Sequence, residues 1–190
     1  MRMAEAGIIE PIEVTVTYLE MTKPPTRYPP LPLGAQIAVL RVKDIPLHYY
    51  RYLMDRVGRK WHWVNSLRLD DEELSAAIHS ESRDIRVFYL DGAPAGFFDL
   101  GTERKGAVEL VFFGMMPHAI GRGFGRWFLG AAIEAAWAHH PEKVIVQTCT
   151  LDHPSALALY QKMGFVPVAQ SQERVVPLGD RERADILFRP

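Results

Sequence analysis

Glycines alternate with other residues at Gly121, Gly123 and Gly125, with arginines at Arg122 and Arg126. Before them, Leu110 to Met116 is an apolar run stopped by Pro117, the pattern of a buried strand; after them, Trp127 to Trp137 has the length and composition of a helix. A strand, a glycine-rich turn and a helix start gather free backbone N–H groups and the positive end of a helix dipole around one point. That arrangement binds an anion, and phosphate is the expected one. Arg122 and Arg126 are then either phosphate partners or solvated helix-start residues. A mononucleotide P-loop requires four residues between its first Gly and a Gly-Lys-Ser/Thr, which this segment lacks. The dinucleotide fingerprint Gly-x-Gly-x-x-Gly also fails, because the third glycine arrives one residue early.

Other chemistry-bearing residues are more scattered. Cys149 is the single cysteine, with no base implied beside it, so it reads as a buried strand residue rather than a nucleophile. His139, His140 and His153 have no metal-ligand spacing, and no metal is expected. Tyr49, Tyr50, Tyr52, Trp61, His62 and Trp63 are concentrated in one region. Aromatics there serve either as core or as a cage for a cation.

The elements that must position these groups follow from periodicity. Residues 12–19 alternate as a half-buried strand, and 23–34 hold five prolines, which forbid helix and favour an extended connection. A strand is expected near Ile37–Val42, a helix from Leu47 to Val57 after Pro46, and a second helix from a capping box at Asp70 and Glu73 to about Ser80. Ile85–Leu90 and Ala95–Leu100 form a hairpin around Asp91-Gly92, and a turn at 101–106 leads into the strand that begins at Ala107. Beyond the helix ending near Trp137, Lys143–Thr150 reads as a strand and Ala156–Met163 as a helix closed by Gly164. A last strand pair begins at Phe165 and is completed by Ile186–Phe188. The order predicts an α/β (α+β) fold, with a mixed, mostly antiparallel sheet flanked by helices and an additional N-terminal strand.

The segment Ile120-Gly121-Arg122-Gly123-Phe124-Gly125 resembles the acetyl-coenzyme A signature Arg/Gln-x-x-Gly-x-Gly/Ala of the GNAT N-acetyltransferase family, with Ile120 standing where Arg or Gln is usual. The run from Leu151 to Phe165 is similar to the family's Asn-x-x-Ala-x-x-Leu-Tyr-x-Lys-x-Gly-Phe segment. Ala156, Leu159, Tyr160, Lys162, Gly164 and Phe165 match, and His153 takes the Asn place. The resemblance covers about Gln36 to Ala169. It implies a domain over 35–190; the N-terminal strand and Pro-rich connector over 1–34 lie outside it, and that strand is expected to extend the sheet or pair across a dimer. It implies acetyl-CoA as cosubstrate, held by Met115, Met116, the 120–126 loop, His153, Ala156 and Tyr160. Direct transfer to a primary amine would then use Glu109 as general base, Tyr160 as general acid and the Met115 amide as oxyanion donor. Tyr49 to Trp63 would lie at the acceptor lip, and a peptide amine, an amino acid, an aminoglycoside and an arylamine all remain open. A non-catalytic coenzyme A sensor on the same fold is the alternative.

Whole-chain properties bound these readings. The 190 residues carry a formal net charge of −1, with 48% hydrophobic and 24% charged residues, values of an ordered globular domain without a global field for nucleic acid or anionic membrane. The N-terminal residues lack the apolar core of a signal peptide, and no apolar run is long enough to span a bilayer. A cytoplasmic monomer or homodimer is expected.

Overall fold

The computed structural model describes residues 9–189; residues 1–8, on which the signal-peptide reading rests, lie outside the described residues. Among the described residues seven strands form one mixed sheet, ordered β2-β3-β4-β5-β6-β1-β7. They are β1 (Ile12–Met21), β2 (Ile37–Arg41), β3 (Arg83–Leu90), β4 (Ala93–Gly101), β5 (Ala107–Met115), β6 (Lys143–Cys149) and β7 (Val166–Val175). Six α-helices flank the sheet: α1 (Leu47–Gly58), α2 (Asn65–Arg68), α3 (Asp71–Ile78), α4 (Phe124–Trp137), α5 (Ala156–Lys162) and α6 (Asp180–Leu187). The α/β architecture is the one expected from the order of periodic segments.

β2 to β5 are antiparallel, β3 to β5 through short turns and β2 to β3 through the segment that holds α1 to α3, whereas the α4 crossover returns the chain parallel to β5 as β6. The sheet therefore buries a core on each face. On one, Phe88, Phe98, Leu110, Val146 and Leu19 pack against Phe128, Leu129 and Ile133 of α4 and Tyr160 of α5. On the other, Val87, Phe97 and Met116 pack against Leu53, Met54 and Val57 of α1, with Leu74 of α3 and Ile186 of α6.

The N-terminal strand lies inside the sheet rather than at its margin. β1 pairs antiparallel with β6 on one side and β7 on the other, so that Val16 stands opposite both Cys149 and Ser171. Alternation along β1 puts Val14 and Val16 on one face of the sheet and Leu19 and Met21 on the other, and all four are buried. The proline-rich connector then crosses the α4 face to reach β2 at the far edge, with Tyr28 against that core. Gly130 of α4 makes this approach possible: a Cβ there would stand 2.7 Å from Pro29 Cδ.

One expected strand is a helix. Ile186–Phe188 falls in and just after α6, not in a strand pair. Asp180 and Glu182 occupy the first turn of α6, and Arg183 and Ile186, three residues apart, supply its buried face. Arg183 Nη1 donates to Asp55 Oδ1 at 2.7 Å, which ties α6 to α1. A three-residue apolar stretch cannot distinguish strand from helix by period, and the deciding contacts are long-range.

Candidate functional site

β5 and β6 pair only from Ala107↔Lys143 to Leu110↔Val146. Beyond that point they diverge, and a cavity of about 610 Å³ fills the opening. Its wall contains members of both cores, Phe113, Met115 and Tyr160 from the α4 face and Trp63, Phe112 and Val175 from the α1 face. The cavity thus passes through the sheet.

Hydrogen-bonded and non-hydrogen-bonded pairs alternate along an antiparallel ladder. Met116 N–H donates to Ala95 O at 2.8 Å. At Met115, which faces Gly96, the N–H and C=O therefore turn away from β4 and toward the opening. On the other rim, Thr150 N–H donates to Thr15 O at 3.1 Å, which leaves the N–H of Cys149 facing the gap. That group is not free, because it donates to Asp152 Oδ2 at 2.9 Å. The same oxygen accepts from Thr148 Oγ1 at 2.8 Å, and Asp152 Oδ1 accepts from Trp63 Nε1 at 3.2 Å. One rim is closed by Asp152; the β5 rim keeps an open amide at Met115.

The glycine-rich loop stands at the α4 end of the opening. Gly121 and Gly123 have φ of +78° and +86°, a conformation costly to any residue with a Cβ, and no atom would crowd one there. Gly123 precedes α4 without a side-chain cap, so the first N–H groups of the helix have no side-chain acceptor. Gly125 lies in the first turn, where a Cβ would stand 3.3 Å from Met115 Cε. Ile120, Gly121 and Gly125 line the cavity. Arg126 is exposed; Arg122 leans over the Phe124 ring at 5.4 Å, with Asp91 at 4.0 Å. Phe124 itself is core, and Met116 is buried on the α1 face with its N–H already engaged.

α5 brings Ala156, Leu159 and Tyr160 to the cavity. Tyr160 is 7% exposed, with its ring edge-on to Phe113 and Phe165. Burial, and then the negative charge of Asp152, push its phenol well above the ordinary tyrosine range, so it holds its proton throughout the neutral range. Burial, followed by Asp152, also raises the Cys149 thiol, the opposite of what a thiolate nucleophile needs. His153 Nδ1 accepts from Ser155 N–H at 3.1 Å, and its ring meets Trp61 at 5.4 Å. Among the described residues no cluster of three metal-ligating side chains forms.

Glu109 does not reach the cavity wall. It stands one residue before the first lining position of β5, opposite Gly101 and Ile145, and its 13%-exposed side chain pairs with Arg104 Nε at 3.3 Å. Of the aromatic region, Trp61, His62 and Trp63 line the cavity, whereas Tyr50 is buried on Asp99 and Tyr49 bonds Tyr89. Trp63 occupies a slot that two glycines leave open. A Cβ on Gly58 would lie 2.5 Å from Trp63 Cβ, and one on Gly114 would lie 3.0 Å from Trp63 Cη2 and 2.4 Å from Val57 Cγ1. Asp152 and Glu173, also on the wall, escaped sequence reasoning. Asp152 carries a faint signal, an acid just after a strand and before Pro154, where such side chains cap backbone N–H groups.

Comparison with known proteins agrees with this fold. The model of the acetyltransferase (GNAT) family matches residues 47–165. Similar solved structures include a tandem GNAT protein from the clavulanic acid biosynthesis pathway, at 16% identity and TM-score 0.57, covering 87% of this chain and 55% of that one. An IAA acetyltransferase from Bacillus cereus ATCC 14579 has 22% identity and TM-score 0.51, with 70% and 79% covered. An aminoglycoside acetyltransferase from an uncultured soil metagenomic sample, in complex with trehalose, has 17% identity and TM-score 0.54, with 67% and 86% covered. At these identities the likeness is one of fold. The chain spans just over half the length of the tandem protein. No curated protein sequence matches it.

Proposed function

The chain belongs to the acetyltransferase (GNAT) family, and from that premise we propose that it transfers the acetyl group of acetyl-CoA directly to a primary amine within a ternary complex. The observation that carries this reading is the unpaired Met115 amide, which faces an opening between β5 and β6 that begins at the uncapped start of α4. Acetyl-CoA supplies an activated thioester carbonyl. The backbone of Gly121, Gly123, Phe124 and Gly125, with the α4 dipole, holds the pyrophosphate, and Arg122 and Arg126 add charge from outside. Ile120, His153 and Ala156 shape the rest of the slot, while Met116 supports it from the core. The free edge of β5 holds the pantetheine arm as a short added strand. Met115 N–H then donates to the oxygen on which negative charge develops. Tyr160, protonated for the reasons above, donates to the departing thiolate. Glu109 takes the amine's proton through a water, since its carboxylate lies just outside the cavity wall.

A thermal-shift series with acetyl-CoA, coenzyme A and NAD tests the cofactor. A ligand at 100 times its dissociation constant stabilises by about 2.7 kcal/mol, which raises Tm by on the order of 5 to 10 °C at this size. Shifts with both coenzyme A forms and none with NAD are expected, followed by turnover with a panel of amines. Glu109→Gln and Tyr160→Phe should each slow acetylation by about 10²-fold or more. Unchanged rates in both variants would remove the proposed roles.

A second reading, a coenzyme A-binding module without turnover, is favoured by one observation: Glu109 is engaged by Arg104 and set back from the cavity. Thermal shifts without acetylation of any amine in the panel would select it.

A further inference from the structure

The cavity wall also carries an exposed carboxylate with an oxygen that no side chain takes. Glu173 stands on β7 opposite Val14 of β1 and lines the wall. Its Oε1 accepts from Tyr18 Oη at 3.0 Å and from Ser171 Oγ at 3.1 Å. Its Oε2 has no side-chain partner among the described residues. The other acid on the wall, Asp152, has both oxygens occupied by Trp63, Thr148 and Cys149. Among the described residues no lysine or arginine lines the cavity. The wall also offers apolar and aromatic side chains, Val14, Val16, Trp61 and Phe112, beside polar ones such as Gln147 and Asn65.

The reacting amine must become neutral before it attacks, and a carboxylate in contact with it would hold it charged. Glu173 is well removed from that point. β7 lies two strands beyond β6, a lateral distance of about 10 Å at ~4.8 Å per strand, to which part of the opening is added. A cation seated at Glu173 thus belongs to a different part of the acceptor from the nitrogen that reacts.

We propose that Glu173 binds a second ammonium group of the acceptor, so that the preferred acceptor class is a long-chain diamine whose two nitrogens are separated by an apolar spacer of about 10–14 Å. The proposal rests on the acetyl-transfer reading above. Wall chemistry selects each part of this molecule: Glu173 takes the distal cation, Trp61 and Phe112 contact the methylene spacer, and the absence of lysine and arginine from the wall disfavours an anionic tail.

The test compares kcat/KM for 1,8-diaminooctane and octylamine in the wild-type protein and in Glu173→Gln. Glutamine keeps an oxygen for Tyr18 and Ser171, so the variant should fold with an unchanged Tm, which thermal unfolding checks. The wild type should prefer the diamine by about 10-fold or more, and the variant should lose that preference while its octylamine value stays within about twofold. Turnover of both amines with no preference, or a preference that survives in Glu173→Gln, overturns the assignment of Glu173 and leaves acetyl transfer standing. Turnover of neither amine, with no thermal shift from coenzyme A, overturns both.

Discussion

Trp63 Nε1 donates to Asp152 Oδ1 across 3.2 Å, joining the turn after α1 to the loop after β6 over the opening between β5 and β6. Each partner is fixed independently, the indole by the slot between Gly58 and Gly114 and the carboxylate by Thr148 and Cys149. The bond therefore forms between groups already in place, and little ordering entropy opposes it.

Trp63→Phe removes that donor and preserves an aromatic ring against Phe97 and Phe112. A hydrogen bond to a charged acceptor contributes about 1.5 to 3 kcal/mol when it is buried. With partial exposure and water available to Asp152, a loss of about 1–2 kcal/mol is expected, or roughly 3–6 °C in Tm. Thermal unfolding measures it, and a change below about 1 °C would mean that the contact contributes nothing to the fold.

Gly130 and Pro29 should show a reversal of sign. Alanine at 130 improves helix propensity by about 1 kcal/mol. It also brings a Cβ to 2.7 Å from Pro29 Cδ, an overpacking that costs about 1–3 kcal/mol. Gly130→Ala alone should be destabilising or neutral, whereas in a Pro29→Ala background it should be stabilising. Denaturant unfolding of the four proteins in the cycle decides this, and equal effects in both backgrounds would separate the connector from α4.

These contacts mark where sequence reading reaches its limit. The glycine-rich turn before α4 was legible because Gly121, Gly123 and the following helix are consecutive, and local chemistry alone implies a turn that leaves the first N–H groups of the helix uncapped. The strand reading of β1 was legible from period two, yet its insertion between β6 and β7 depends on partners far along the chain. Ile186 illustrates the reverse problem, since three apolar positions carry no period and its helix is fixed by Arg183 reaching Asp55. Glu173 was invisible for another reason. It lies in a polar stretch, Gln-Ser-Gln-Glu-Arg, and only the register against Val14 brings it to the cavity.

Alkaline pH should destabilise the fold through Tyr160. Burial and Asp152 raise its folded-state pKa above the unfolded value near 10. A raised pKa means that the folded state binds the proton more tightly, so this contribution is fully present below about pH 10 and is lost as pH rises beyond it. Tm measured from pH 8 to 11 should fall from about pH 10 upward, and Tyr160→Phe should flatten that decline. Tyr50, buried and raised by the same cause, will leave part of the decline in place. The phenol stays protonated across pH 6 to 9, so the rate of acetyl transfer should show no basic limb from this group below pH 9.

Leu19 tests how deeply the N-terminal strand belongs to the core. It is 1% exposed within the cluster beneath α4. Leu19→Ala should cost about 2–5 kcal/mol, the range for a large-to-small change in a packed core. Equilibrium unfolding should show a single transition displaced to lower denaturant. A loss below about 0.5 kcal/mol would mean that β1 is an appendage.

The position of β1 also imposes an order on synthesis. Thr15 and Thr150 are bonded across 135 positions of sequence, so β1 leaves the ribosome long before β6 and β7 exist. At ~5–20 residues per second, that interval is roughly 7 to 27 s. Throughout it, β1 has neither of its neighbours, and both of its edges and its valine-bearing face are open to other chains. β6 and β7 must close around a segment made well before them, and any pause in translation after α4 lengthens the time for which that segment waits.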